Sequence, residues 1–407
     1  MNINFSRPTS RGRKPELFLV LDCETATLPF VSSMDLNPKQ KQKIAIAKPL
    51  IYDIGWQILD RKGRVYSQHS FLVQETFFVP QVFNTAYYRD KRPIYMERFA
   101  KGEILAATWE EIMQILESDL QHCKICTAYN SMFDFKKAIP FTEDYISHLY
   151  SADYQKWEDS QRRVCDSILS DTLWENPNEF DGLHFNFRGN DYDMCDLWGL
   201  ACTRLINEDD YKISCLNNSL ITQSGLFFKT SAETTFQYLT NNYDFIEEHT
   251  ALGDVIIESQ ILLKALKKGN LELGIQYFPF NELGETVDYI TRMANTKKIC
   301  LQDVQNVIDI MWAKYHDYQK TSSFASQLET KICRLERFAQ KNYDKLPSEE
   351  FYLCRISLIE KQIKRKVAYL NKLQMNGDSY YRTEREITNL KNEIAELVIL
   401  LDELKSE

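Results

Sequence analysis

The sequence lacks three features that would place it in a special class of protein. No apolar run approaches the ~20 residues needed to span a bilayer, and the N-terminus has no apolar signal core. Ten cysteines in 407 residues are too few for a disulfide scaffold. Basic residues are in deficit, with 49 Lys and Arg against 58 Asp and Glu and a formal net charge of -9. We therefore expect a cytoplasmic protein that is neither a membrane protein nor a generic nucleic-acid coat.

What remains is the composition of an ordinary soluble globular protein, with 44% hydrophobic and 26% charged residues. A chain of this length can form two or three domains. Its acidity does not exclude a nuclease, because a site built from carboxylates stays acidic until metal ions supply positive charge.

The N-terminal part of the chain contains polar and buried segments in turn. Residues 1–15 are polar and rich in Arg and Lys, which predicts a flexible basic arm that is either solvated or attached to a phosphate backbone. Residues 17–21 are all apolar and predict a strand covered on both faces that ends at Asp22. Residues 28–50 are polar and lysine-rich, and predict an inserted loop or short helix.

The next segments complete an α/β pattern. Two strand-like runs flank a polar turn that contains Gly63, which predicts a β-hairpin. A helix and another buried strand follow the hairpin. The strands are predicted at 51–58, 66–73 and 124–129, and the helix at 109–121. Strand, hairpin, helix and strand in this order predict a mixed sheet flanked by helices.

Residues 141–230 are rich in aromatic and acidic residues and predict a second insertion. Helices are expected there at 144–157, 160–175 and 195–206. A capping box at 230–233 then opens one helix. A further helix is predicted at 251–268 and stops at Gly269. Its apolar stripe contains Leu252, Val255, Ile256, Leu262, Leu263 and Leu266, with Ser259 as the one polar gap.

After a linker or transition at 271–300 the sequence becomes helical over 301–407. Charged residues stand between apolar ones at heptad spacing, and glycine is rare. We expect a helix at 301–340 and an antiparallel coiled-coil hairpin at about 350–407. The two stripes of that hairpin can satisfy each other within one chain, or they can mediate self-association or bind a partner protein.

Two acidic residues end the first buried strand. Asp22 and Glu24 are two positions apart, and alternation along a strand sends both carboxylates to the same side. Two such carboxylates repel each other unless protons or a cation intervene. Oxygen ligands at that density suit Mg²⁺ or Mn²⁺, so the strand end is a candidate metal site.

Two further segments carry acids at the ends of predicted elements. Asp134 follows the strand at 124–129, and Asp254 lies at the entry of the helix at 251–268. Residues five apart on a helix point about 140° away from each other, so His249 and Asp254 cannot both face one ion from regular helix. If His249 lies in the loop before the helix, Asp254 can hold the ion while His249 acts as a general base on a water.

In these three segments the chain resembles the DnaQ-like (DEDD) exonuclease superfamily. The first motif of that family, Asp-x-Glu-Thr, is matched by residues 22–25. The second, an Asn followed closely by Phe-Asp, is matched by residues 130–134, and the third, His-x-Ala-Leu-x-Asp, by residues 249–254. Thr250 stands where the tyrosine branch of the family has its tyrosine, so the resemblance is to the DEDDh branch. It covers roughly residues 16–268.

The resemblance implies a ribonuclease H-like fold with a mixed five-stranded sheet, in an exonuclease domain at 16–270. It implies a 3′→5′ exonuclease that releases nucleoside monophosphates from the 3′ end of single-stranded nucleic acid, with DNA favoured over RNA. Two Mg²⁺ or Mn²⁺ ions would serve as cofactors. The implied site has His249 as the base, Asp22, Glu24, Asp134 and Asp254 as metal ligands, and Thr25, Asn130 and Phe133 as substrate contacts.

Two other functions are compatible with the chain. One is a catalytically inactive nuclease-fold module, and the other is a proofreading subunit that docks on a polymerase of another chain through the helical tail. The presence of all four acids and the base argues against the first, because a dead site has no physical reason to keep mutually repelling carboxylates. Ala26-Thr27 replaces a Thr-Gly that is frequent in the family, and the insertion at 28–50 adjoins the site. The choice of substrate therefore stays open.

Overall fold

A computed structural model describes residues 15–170, 184–269, 283–293, 299–316 and 323–343, with single positions and short runs between 360 and 402. The chain divides into two compact units. The first contains residues up to Ser214 together with Lys229–Leu283, and the second contains Cys215–Phe228 together with residues from Gly284 onward.

A seven-stranded mixed sheet organises the first unit, in the order β4-β3-β2-β1-β5-β7-β6. The pairs β1–β2, β2–β3 and β6–β7 are antiparallel, and β1–β5, β5–β7 and β3–β4 are parallel. The strands are β1 (Leu17–Ala26), β2 (Leu50–Asp60), β3 (Val65–Val73), β4 (Leu105–Ala107), β5 (Ile125–Ala128), β6 (His184–Phe187) and β7 (Asn190–Asp196). The prediction of a mixed sheet flanked by helices is confirmed, but the sheet has seven strands rather than five.

Helices lie between and around these strands. In chain order they are α1 (Pro38–Ala47), α2 (Gln74–Phe77), α3 (Pro80–Phe83), α4 (Arg92–Ala100), α5 (Trp109–Leu120), α6 (Ile139–Leu149), α7 (Tyr154–Ser170), α8 (Leu197–Arg204), α9 (Asp209–Asn217), α10 (Ala232–Thr240) and α11 (Ala251–Lys268). Short 3₁₀ turns occur at 29–33 and 89–91, and a π-helical turn occurs at 132–138.

One face of the sheet is covered by α11. Residues that pair directly across two strands share a face, and Asp22 pairs with Gly55 in β2. A Cβ atom on Gly55 would lie only 2.7 Å from the backbone nitrogen of Leu252, so the start of α11 approaches the strand backbone closely. Ser259 donates a hydrogen bond of 3.1 Å to Gln57 on the same face. Because glycine has no side chain, α11 can lie directly against the sheet at position 55, next to Asp22 of β1.

The opposite face packs on α5. Leu19 and Leu21 point there and are fully buried, and they join a core with Ile112 and Met113 of α5. Each fully buried Leu or Ile stabilises the fold by about 1.5–3 kcal/mol. Thr108 closes a capping box with Glu111 at the start of α5, which fixes the helix end against the sheet. β1 is therefore held rigidly between two helical layers.

Several local predictions are confirmed. The segment 28–50 contains α1, which begins in a capping box between Asn37 and Gln40. The hairpin of β2 and β3 turns at Gly63, whose φ of 79° suits glycine. In α11 the predicted ends are those observed, but Ile256 is 41% exposed. The helix at 232–240 is capped by Ser231, one residue later than predicted.

The segment 141–230 differs most from the prediction. Its first helices are α6 and α7, with a break at 150–153 instead of near 158. Residues 184–187 and 190–196 form β6 and β7, and β7 pairs with β5. The segment therefore supplies two strands of the sheet. Residues 171–183 lie outside the described part of the chain.

The second unit is helical in its described part. Its helices are α12 (Thr286–Arg292), α13 (Leu301–His316) and α14 (Ser323–Tyr343). Apolar residues of α13 and α14, among them Met311 and Ile332, are fully buried. Arg334 of α14 forms an ion pair of 2.5 Å with Asp288 of α12. The helix predicted at 301–340 is thus two helices, with residues 317–322 outside the described set.

The predicted arm at 1–15 lies almost wholly outside the described residues, and the predicted hairpin at about 350–407 lies mostly outside them. The described positions within 350–407 are helical, and Lys366 forms an ion pair with Glu393. Among the described helices, none combines the length and the apolar character that a membrane crossing requires.

Candidate functional site

Asp22 and Glu24 lie near the end of β1, on the face covered by α11. Glu24 pairs with Asp53 of β2, as Asp22 pairs with Gly55, so the alternation predicted from sequence places both carboxylates on one side. The regular pairing of β1 and β2 shifts between Glu24 and Thr25. Glu24 is 8% exposed, so this acid is buried where the sequence suggested a strand end.

Asp134 lies in the π-helical turn at 132–138, directly after β5. Such turns are rare and occur often at functional sites. Asp134 is 2% exposed and accepts a hydrogen bond from the thiol of Cys23, which lies between the two acids of β1. The turn thereby brings Asp134 to the strand that carries Asp22.

The loop before this turn is held by a carboxylate that the sequence analysis did not identify. Asp196, the last residue of β7, accepts backbone hydrogen bonds from Asn130 (3.2 Å) and Ser131 (3.0 Å) with one oxygen. Its other oxygen accepts the Gly199 N–H at 2.9 Å and caps α8. Asn130 has a φ of 89°, a conformation uncommon for a residue other than glycine. Asp196 therefore fixes the path of the chain between β5 and Asp134.

His249 lies in the loop before α11, as its spacing from Asp254 predicted. The helix begins at Ala251, and the Ala251 N–H donates to Asp53 at 2.9 Å. His249 has a φ of 53°, which turns its side chain away from the helical course. One ligand atom each of Glu24, His249 and Asp254 lies within 4.8 Å of the other two. Two motifs that are more than 200 residues apart in the sequence thus meet at one point.

A segment around α4 holds the histidine loop in place. The ring of Tyr88 stacks on that of His249, with centroids 4.3 Å apart and planes 12° from parallel. Tyr95 donates to the His249 carbonyl at 3.3 Å, and Lys91 donates to the Glu248 carbonyl. Arg98 forms an ion pair of 2.8 Å with Glu248. The position of the imidazole is therefore set by contacts from outside its own motif.

The carboxylates favour protonation because they are buried together. Burial raises the pKa of Asp22 to about 8, and Glu247 and Asp53 contribute. Burial also raises the pKa of Asp254 to about 10, followed by repulsion from Asp22. The pKa values of Glu24 and Asp134 lie well above the usual range, chiefly through burial and then through Asp22. A cation would relieve this repulsion and favour the charged forms.

The pKa of His249 is shifted in the opposite direction. Burial, with Lys91 nearby, lowers its pKa. The imidazole is therefore neutral at pH 7, which is the form that can accept a proton.

Besides Asp196, three further acids around the site were missed by the sequence analysis. Asp53 is fully buried in the middle of β2, in an otherwise apolar run. Glu258 lies one turn after Asp254 and is 2% exposed, and its pKa is raised by burial and then by Asp22. Glu247 lies 3.6 Å from His249, and burial raises its pKa to about 7. An acid within an apolar strand or on a buried helical stripe was the signal that could have identified the first two.

These residues fit a divalent cation. Oδ1 of Asp254 is buried and finds no hydrogen-bond partner among the residues that the structure describes. An orphaned buried carboxylate oxygen is costly unless a proton or a cation meets it. Carboxylate oxygens of Glu24 and Asp254 lie within 4.8 Å of each other, and carboxylate ligands suit Mg²⁺ or Mn²⁺. A ring nitrogen of His249 lies within the same distance of both.

The predicted substrate contacts lie beside the carboxylates. Thr25 and Phe133 line a cavity of about 910 Å³. Phe133 also packs partly against the core, so its ring contributes both to the core and to the lining of the cavity. Asn130 is only partly buried and uses its backbone N–H for Asp196.

No protein-family model, no curated protein and no solved structure matches this chain, so its function has to be inferred from the geometry of the site.

Proposed function

We propose that the chain is a 3′→5′ exonuclease that hydrolyses single-stranded nucleic acid with divalent cations. The proposal is supported first by the architecture of the first unit. Its central strands follow the order β3-β2-β1-β5-β7, with β1 antiparallel to β2 and parallel to β5. This arrangement is compatible with a ribonuclease H-like core, to which β4 and β6 add one strand at each edge.

The observation that carries the proposal is the convergence at β1. Glu24, His249 and Asp254 have ligand atoms within 4.8 Å of one another, and Asp254 keeps an unpartnered buried oxygen. Asp22, Glu24, Asp134 and Asp254 would hold two Mg²⁺ or Mn²⁺ ions. Bound there, the ions would supply the positive charge that activates the attacking water and stabilises the leaving 3′ oxygen.

The protein itself supplies the base and its orientation. His249 is neutral and takes the proton of the attacking water as the bond from phosphorus to the 3′ oxygen breaks. The stacked ring of Tyr88 and the hydrogen bond from Tyr95 hold the imidazole in one orientation. The burial of the carboxylates excludes bulk water from the reacting phosphate.

The inactive-module alternative is disfavoured on energetic grounds. Burial of mutually repelling carboxylates destabilises a fold unless a cation neutralises them. Asp22, Glu24, Asp134 and Asp254 are joined by Asp53 and Glu258 in the same region. A chain that had lost turnover would gain stability by replacing any of them. The docking of a polymerase through the helical tail stays a prediction.

The test follows 5′-labelled single-stranded DNA and RNA in Mg²⁺, Mn²⁺ or EDTA, with the label reporting the shortening of the strand and chromatography detecting the mononucleotides released. The full-length protein should shorten the strand from its 3′ end only when a divalent cation is present. Asp134→Asn should be inactive because it replaces a ligand without changing the shape of the side chain. Asp60→Asn is a matched control, since Asp60 is the last residue of β2 and lies at the end of the strand away from the site.

Absence of mononucleotide release in every cation would refute the proposal. Equal activity of Asp134→Asn and the wild type would refute it too, because the hydrolysis would then come from another site or a contaminant. A comparison of DNA and RNA in the same assay decides the preferred sugar.

A further inference from the structure

A cavity of about 910 Å³ has Thr25 and Phe133 in its lining. These two residues are the chain neighbours of Glu24 and Asp134, so the cavity adjoins the strand end and the turn that carry those carboxylates. Its other walls are formed by residues within 27–46, which include most of α1, and by residues within 84–89. Ligand pockets have volumes of roughly 300–1,000 Å³. The cavity is at the upper end of that range and has room for more than the terminal nucleotide. We call it the insertion groove.

The insertion groove is basic although the protein is acidic. Its lining contains Lys39, Lys41 and Arg89 and no Asp or Glu. The whole chain carries a formal charge of -9, and the cluster beside the groove is built from acids. Among the residues that the structure describes, the charged side chains of this lining are therefore all basic, whereas the neighbouring cluster is built from acids. Cations spaced along a groove are the usual means of binding a phosphodiester backbone.

An aromatic ring stands at the mouth of the groove. Tyr87 lines it and is 78% exposed, so its ring is accessible to a ligand. Its ring packs edge-to-face on Tyr88 at 4.8 Å, and Tyr88 stacks on His249. The free face of Tyr87 is thus held next to the candidate site. Exposed rings along a basic groove serve as stacking platforms for unpaired bases.

The walls of the groove are tied to β1 by one residue. Thr27 N–H donates to Oγ1 of Thr85 at 2.8 Å, and Oγ1 of Thr27 donates to the Lys48 carbonyl at 2.9 Å. The first bond fixes the wall at 84–89, and the second fixes the end of α1. Because α1 also starts in a capping box, the groove is formed before any ligand arrives.

We propose that the insertion groove binds the single strand on the 5′ side of the nucleotide being removed. The phosphates would lie along Lys39, Lys41 and Arg89, and a base would stack on Tyr87. This inference rests on the proposed function, because the carboxylates define where the 3′ end lies. It assigns a role to the insertion at 28–50, which no motif explains. It also implies that an oligonucleotide is a better substrate than a mononucleotide ester.

The test compares two substrates and one binding reaction with the full-length protein. The triple variant Lys39→Ala/Lys41→Ala/Arg89→Ala should raise KM for oligothymidylate about tenfold or more. It should hydrolyse the p-nitrophenyl ester of thymidine 5′-monophosphate like the wild type, since this ester has no upstream phosphate. The slope of log(kcat/KM) against log[salt] should become shallower by about 2, or roughly 0.7 for each lost contact.

Tyr87→Ala should weaken oligothymidylate binding about tenfold, and Tyr87→Phe should restore it because the ring can still stack. Lys62→Ala is the charge control. Lys62 lies in the β2–β3 turn, seven strand residues from Glu24 along β1, which is roughly 23 Å.

Binding of fluorescent oligothymidylate in EDTA separates the groove from the chemistry. Loss of oligothymidylate binding in the triple variant would support the groove. If no preparation of the protein hydrolysed any substrate, that loss would still support the groove, and only the proposed function would fail. Unchanged binding and KM in an active triple variant would refute the groove alone. Equal competition by polyglutamate would also refute it, since the groove would then be an unspecific anion site.

Discussion

Raising the pH should destabilise the metal-free protein, because its carboxylates hold protons that the unfolded chain releases. The pKa of Asp22 is raised to about 8 and that of Asp254 to about 10, in both cases chiefly by burial. In the unfolded chain such groups titrate near pH ~4. A carboxyl whose pKa is raised by folding costs no stability below the unfolded pKa. It costs progressively more as the pH rises towards the folded pKa.

A lower bound on the loss follows from the two carboxyls with pKa values of about 8 and about 10, to which Glu24, Asp134 and Glu258 add. Between pH 6 and pH 7 the folded protein keeps the protons of Asp22 and Asp254, and the unfolded chain keeps neither. Each retained proton lowers the free energy of unfolding by about 1.4 kcal/mol per pH unit, so the two lower it by roughly 3 kcal/mol. In a domain of this size about 1 kcal/mol corresponds to roughly 2–4 °C in Tm. We expect Tm to fall by roughly 5–10 °C.

Differential scanning calorimetry at pH 6 and pH 7, in EDTA and in Mn²⁺, measures this loss. Mn²⁺ should remove most of the pH dependence, because a cation bound only to the folded state replaces the protons. The double variant Asp22→Asn/Asp254→Asn should show a shallower pH dependence in EDTA than the wild type, because Glu24, Asp134 and Glu258 still retain their protons. Asp60→Asn should behave like the wild type. A wild-type Tm that does not change with pH in EDTA, or an unchanged slope in the double variant, would refute the reasoning.

Three further predictions concern single residues. His249→Gln should lower the rate of hydrolysis about 100-fold or more, while the rise in Tm with Mn²⁺ persists; loss of that rise would mean that His249 is a ligand rather than the base. Gly55→Ala should weaken Mn²⁺ binding measured by calorimetry, because the new Cβ would lie 2.7 Å from the Leu252 nitrogen and displace the start of α11. Asp196→Ala should lower the unfolding free energy by about 3 kcal/mol in urea titrations, since three backbone N–H groups lose their acceptor. Asp196→Asn keeps one acceptor oxygen and should lower the unfolding free energy by less.

The elements that could be predicted have a strong local signal. The run from Leu17 to Leu21 is buried on both faces, and α11 has the predicted ends because its apolar stripe is periodic and Gly269 stops it. Helical geometry excluded that His249 and Asp254 both face one ion from regular helix, so a shared site required His249 to lie in the loop before α11, where the structure places it. Local periodicity was therefore sufficient to predict where the chain presents Asp22, Glu24 and Asp254.

The missed elements depend on tertiary structure. β6 and β7 are short and lie at one edge of the sheet, and β7 has a partly exposed polar half, so the stretch 184–196 has no clear period. Without β7 the role of Asp196 could not be inferred. The contacts of Tyr88, Lys91 and Arg98 with the histidine loop join residues about 150 positions apart. Nothing in the sequence of either segment indicates that it contacts the other.

Glu258 shows how a correct period can hide a functional residue. The stripe of α11 was assigned Ile256, which is 41% exposed, while Glu258 is buried. An acid on a buried stripe contradicts the hydrophobic pattern, and such local contradictions are expected at functional sites. The same reasoning applies to Asp53, the acid within the buried strand β2.

An acidic protein can still bind a polyanionic substrate, because most of its negative charges lie too far from the substrate to act on it. At physiological ionic strength the Debye length is about 8 Å, so charges further from a phosphate than this are largely screened. A strand in the insertion groove would then respond to Lys39, Lys41 and Arg89 rather than to the formal charge of -9. Beyond the groove its 3′ end would meet the carboxyl groups, which hold protons and offer no positive charge until cations displace those protons. Cation binding is therefore expected before the terminal phosphate reaches His249.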